Sequence, residues 1–152
     1  MYTTQVQQRI DAPRAAVFRT LLDGDAVARW RVPTGMTARV HEFEGREGGR
    51  FRVSLTYEDP AASGKTSSHT DTYHGRFTRV IPDRLVVETL EFESPDAELQ
   101  TPMTMTTTLE DDGDGTLVVV LHDGVPDAVP PEDNETGMRM ALANLAALVE
   151  AG

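Results

Sequence analysis

The chain has 152 residues, a formal net charge of −11 and no cysteine. That length suits one domain with a core of its own, and the lack of cysteine excludes disulfides and thiolate metal sites. The acidic balance argues against nucleic acid or an anionic membrane as partner, because binding either needs a positive surface.

No apolar run approaches the roughly 20 residues of a bilayer span. The first ten residues alternate polar and apolar instead of forming a secretory segment. The expectation is a cytoplasmic chain folded as a single domain over 1–152.

Residues 2–10 read as an edge strand through Val6 and Ile10. Asp11 is placed to cap a helix over 13–22, with Pro13 just inside its start. Asp23 caps a second short helix through Val27 and Trp30, which Pro33 and Gly35 end. Strands are expected over 37–44 and 50–58, joined by a Glu47-Gly48-Gly49 turn. The second of these alternates, with Phe51, Val53, Leu55 and Tyr57 on one face and Arg50, Arg52, Ser54 and Thr56 on the other. Residues 60–68 are polar and small, the composition of a mobile loop.

Strands over 69–80 and 85–93 flank a Pro82-Asp83 turn, and a loop follows around Pro95. Strands over 100–109 and 116–122 are joined by the hairpin turn Asp111-Asp112-Gly113-Asp114-Gly115. A calcium loop would need a bidentate glutamate where this chain has the apolar Val118 to Val120. The last segment, 131–150, carries Met138, Ala141, Leu142, Leu145, Leu148 and Val149 at helical spacing. Strands in hairpin succession, kept apart from the helices, make an α+β fold. Its curved antiparallel sheet of about seven strands must bury its inner face on the long C-terminal helix, with two short helices after the first strand.

The chemistry-bearing residues are few. Gly48-Gly49 precedes a strand, whereas a phosphate loop opens a helix. Gly75 inside a strand marks a bulge or a close approach of the last helix. His41, His69, His74 and His122 have no recognised ligand spacing, so neither metal nor cofactor is expected. Glu88 shares a strand face with Val86, Leu90 and Phe92. It is a candidate acid or base in an apolar cavity, an inward glutamate paired with an arginine, or a residue that a bulge turns outward. Tyr73 and His122 are the other catalytic candidates, and no nucleophile stands out. A hollow between sheet and helix would be lined by Trp30, Phe51, Val53, Leu55, Tyr57 and Tyr73, and further by Phe77, Leu90, Phe92, Met103, Met105, Met138 and Leu142. The same residues would also serve as plain core.

Several stretches resemble one family. Ile10-Asp11-Ala12-Pro13 with Val17-Phe18, then Trp30, then Gly48-Gly49-Arg50-Phe51 resemble the first half of the Hsp90-ATPase-activator-like domains of bacteria. Gly75-Arg76-Phe77 with Val80, Pro82 and Arg84-Leu85-Val86 is similar to their central hairpin. Gly115-Thr116 through Leu121-His122-Asp123-Gly124 and Glu135-Thr136-Gly137-Met138 resemble their last strand and last helix start. Met138 stands where that branch commonly has tryptophan.

The resemblance implies the helix-grip, START-like (SRPBCC) fold, whose members usually keep a cavity between sheet and helix. It implies three functions: binding of an apolar or aromatic small molecule, chemistry of the polyketide cyclase, dehydratase or hydrolase kind, or an Hsp90-type co-chaperone contact with a protein partner. Binding without chemistry is the leading expectation. A homodimer through a sheet edge or the N-terminal helices is compatible with all three.

Overall fold

The computed structural model describes residues 1–59 and 69–152, so the loop expected over 60–68 lies outside the described residues. In chain order the elements are β1 (Tyr2–Ile10), α1 (Arg14–Leu21), α2 (Gly24–Trp30), β2 (Met36–Phe43), β3 (Arg50–Tyr57), β4 (Thr70–Ile81), β5 (Leu85–Phe92), β6 (Met103–Asp112), β7 (Gly115–Val125) and α3 (Pro131–Ala151). The strands form one antiparallel sheet in the order β1-β7-β6-β5-β4-β3-β2. This is the α+β arrangement that the hydrophobic periodicity predicts, and the helix-grip fold that the resemblance implies.

Alternation explains which side chains go inward. In β7, Thr116, Val118, Val120 and His122 share the buried face. In β5, Val86, Glu88 and Leu90 do the same. Helix α3 turns Met138, Leu142, Leu145 and Val149 toward the sheet. It lies directly on β1 and meets α1 and α2, while across the middle strands it stands off and a space is left beneath its first half.

Local details differ from expectation. Asp11 does not cap α1: the N-cap is Pro13, with no side-chain bond, and the backbone N–H of Asp11 donates instead to Glu150 Oε2 at 2.8 Å. Asp23 does cap α2, accepting from the Asp25 N–H at 3.0 Å. The stretch around Pro95 contains a 3-10 turn, Ala97–Gln100, that buries Leu99. β6 and β7 run further than expected, and their hairpin closes over Gly113 and Asp114, with Gly113 at φ 61°. Asp111 of this turn pairs with Arg14 at 2.8 Å and Asp112 with Arg9 at 3.4 Å, which makes it a structural turn.

The end of the sheet formed by β2 to β4 is closed by aromatic packing. Phe51 and Phe77 have ring centroids 5.1 Å apart, and Phe43 meets Phe77 edge-on at 5.6 Å. Gly75 makes this possible. A Cβ there would stand 2.0 Å from the Thr89 carbonyl oxygen and 2.8 Å from Phe51 Cζ. The close approach at Gly75 is therefore to β5 and the Phe51 ring, not to the last helix, and the bulge falls just beyond it, between Phe77 and Arg79.

Candidate functional site

Under the first half of α3 lies a partly open hollow of about 510 Å³. Its walls are mostly apolar. α2 contributes Trp30, β3 contributes Leu55 and Tyr57, and β4 contributes Tyr73. Leu90 and Phe92 come from β5, Met103 and Met105 from β6, and Met138 and Leu142 from α3. Phe51 and Phe77, placed on the same wall by alternation alone, are instead buried in the closed aromatic end, and Val53 is buried in the core; none of the three lines the hollow. The reason is the register: Phe51 lies opposite Gly75 and covers it.

Three inward polar residues, Glu88, His122 and Thr4, fall in one row of paired positions that crosses five strands. Phe77 pairs with Glu88, Glu88 with Met105, Met105 with His122, and His122 with Thr4. Neighbouring strands lie about 4.8 Å apart, so the row runs across the sheet beneath the helices. Two helix-side polar residues come down on it.

The first is Arg31, which follows α2. Its Nη1 stands 2.6 Å from Glu88 Oε1, with the Glu88 side chain 6% and the Arg31 side chain 15% exposed. Its guanidinium also lies 5.3 Å from the Tyr73 ring centroid and 3.6 Å from Met105 Sδ. Burial works against the Arg31 charge, but the Glu88 carboxylate outweighs it and holds the guanidinium above its ordinary pKa. Asn144 of α3 donates to the carbonyls of Trp30 at 3.4 Å and Val32 at 3.0 Å, on either side of Arg31, and so ties this connection to the last helix.

The second is Asn134, in the first turn of α3. Its Nδ2 donates to His122 Nδ1 at 3.2 Å, and its Oδ1 accepts from the Thr4 hydroxyl. Burial, with Arg31 adding to it against the pull of Asp123, depresses the His122 pKa to about 4, so the ring is neutral near pH 7. Burial likewise raises the Tyr73 hydroxyl, with Arg31 opposing. Trp30 Nε1, the Tyr73 hydroxyl and His122 Nε2 are buried and have no hydrogen-bond partner among the described residues.

The three catalytic candidates thus all line the hollow, but Glu88 is the arginine-paired glutamate and not a free carboxylate. His74 is on the outer face, between Glu91 and Glu93 at 3.0 Å each, and His41 contacts Ser54 at 2.8 Å. Among the described residues no group of three or more His, Asp or Glu is placed to hold a metal ion. Arg31 and Asn134 were not legible as site residues. For Asn134 a signal existed: it stands four residues before Met138 and eight before Leu142, on the same helix face. Arg31 sits in a connection, where periodicity carries no information.

Residues 11–150 match the family described as activator of Hsp90 ATPase homolog 1-like protein. The chain belongs to this family. A crystal structure of protein CV1439 from Chromobacterium violaceum is similar over 97% of this chain and 96% of that one, at 32% identity and a TM-score of 0.86. The solution structure of an AHSA1-like protein from Aeromonas hydrophila is similar at 20% identity over 99% and 93% of the two chains, with a TM-score of 0.71. At that identity the likeness shows the fold alone. Comparison with curated proteins finds no match. Among the described residues no helix of this AHSA1-like chain is long and apolar enough to cross a membrane.

Proposed function

We propose that this AHSA1-like protein binds a small, largely apolar molecule in the hollow beneath α3. The observation that carries the reading is the hollow itself. Its volume of about 510 Å³ falls within the ~300–1,000 Å³ usual for small-molecule sites. Met103, Met105, Met138 and Met140 on its walls suit ligands of variable outline, because an unbranched thioether adapts its shape. Binding without chemistry is favoured because Glu88, the carboxylate best placed for acid–base work, is already engaged by Arg31. Contact with an Hsp90-type ATPase is a separate proposal, carried by the family description alone.

The test is a thermal-shift screen of the purified protein against apolar and aromatic molecules, with native mass spectrometry for bound species. The expected result is a melting temperature that rises with the logarithm of ligand concentration. No shift across the panel and no bound mass would overturn the reading.

A further inference from the structure

We infer that the ligand of the hollow carries a neutral oxygen acceptor, a ketone, ester or amide carbonyl, received by the Nε2–H of His122. The inference rests on the reading that the hollow takes a small molecule, and it names the chemistry of that molecule.

The argument starts from Asn134. Its amide donates to His122 Nδ1 at 3.2 Å while its oxygen is held by the Thr4 hydroxyl. A neutral imidazole that accepts at Nδ1 carries its one proton on Nε2. The ring lies on the wall of the hollow, and His122 Nε2 has no partner among the described residues. The Asn134–His122 arrangement therefore suits a hydrogen-bond donor and not a proton acceptor. It also differs from a catalytic base, whose ring is oriented by a group that takes its proton.

The other unmet groups of the wall agree. The Trp30 indole N–H can only donate, and the Tyr73 hydroxyl has its proton to offer. Of the unmet atoms only Glu88 Oε1 cannot donate, and it faces Arg31 at 2.6 Å. The other three are donors left without an acceptor. Charge then selects among acceptors. Arg31 is neutralised by Glu88 and Asp133 lines the same hollow, so among the described residues a carboxylate or phosphate would meet no spare positive charge. A neutral carbonyl on an apolar frame satisfies both conditions. Leaving a buried donor unmet costs roughly five- to hundredfold in an equilibrium constant, which sets the scale of the expected preference.

The experiment compares 9-fluorenone with fluorene, which share one ring skeleton and differ by the carbonyl. Dissociation constants are measured by calorimetry on the full chain and on His122→Phe, and the carbonyl stretch of bound fluorenone is recorded by infrared difference spectroscopy. The expected result is about tenfold tighter binding of fluorenone, lost in His122→Phe, with the stretch displaced to lower wavenumber than in an alkane solvent. Equal binding of the two probes leaves the hollow as an apolar site and overturns the carbonyl assignment. A preference that survives in a folded His122→Phe overturns the role of His122. Binding of neither probe overturns both the assignment and the reading on which it rests. Should His122→Phe fail to fold, the stretch decides: an undisplaced carbonyl in the unmodified protein refutes the contact.

Discussion

Asn134 on the last helix and His122 on β7 share a hydrogen bond of 3.2 Å that closes onto the hollow. The bond orients the ring, and burial keeps it neutral, at a pKa of about 4 against about 6.5 for an unfolded histidine. The unfolded chain therefore takes up the proton first as pH falls. Stability from this residue is complete above pH 6.5, declines as pH drops toward 4, and then levels off. The loss is on the order of 3 kcal/mol. Urea unfolding at pH 7 and pH 4.5 should show the decline in the natural protein and a smaller one in His122→Phe. Glu93, whose carboxyl Arg52 holds below the usual range by hydrogen bonding, also weakens the fold in acid, but it does so in both proteins and cancels in the comparison. Parallel pH profiles would refute the assignment.

Glu88→Gln tests the buried ion pair. If Glu88 were the acid or base of a cavity enzyme, the substitution would be expected to spare stability and remove turnover. The structure reverses the first part, because glutamine leaves the Arg31 charge buried without its partner at 2.6 Å. Removing one member of a buried pair costs about 3–5 kcal/mol. Replacing both, as Arg31→Met with Glu88→Leu, should recover most of that loss, since two apolar groups need no partner. Chemical denaturation of the natural protein, Glu88→Gln and the double variant measures the loss and its recovery. Glu88→Gln unfolding at the natural midpoint would show that the pair contributes nothing.

Gly137 offers a way to close the hollow without disturbing the sheet. It lies on the α3 wall, and a Cβ there meets nothing within 4 Å. Gly137→Ala should raise stability by about 0.5–1 kcal/mol, as alanine does for glycine inside a helix. Gly137→Phe should fold and lose the thermal shift produced by any ligand of the hollow. A folded Gly137→Phe that still shows the full ligand shift would place the binding site elsewhere.

At Gly75 the opposite is expected. The Cβ of Gly75→Ala would be forced to within 2.0 Å of the Thr89 carbonyl, so the strands must part or the Phe51 ring must leave. The cost should be about 2 kcal/mol or more, read as a lower melting temperature, with weaker near-ultraviolet dichroism if the ring is displaced. An unchanged melting temperature would mean that β4 and β5 yield more readily than their pairing implies.

The sequence by itself determined the seven strands, the three main helices, the antiparallel pairing and which residues share a strand face. Period-two alternation grouped Glu88 with Val86 and Leu90 on one strand face, and the stripe through Met138 and Leu142 put α3 over the sheet. These are local properties of the backbone, readable a few residues at a time. Only the tertiary structure decided which inward residues meet. The register set Glu88, Met105 and His122 side by side, and it sent Phe51 and Phe77 to the closed end. The path after α2, held by Asn144, delivered Arg31 to Glu88. Such pairings depend on strands and helices far apart in the chain, where each partner's position is set by the whole packing, so no local pattern encodes them.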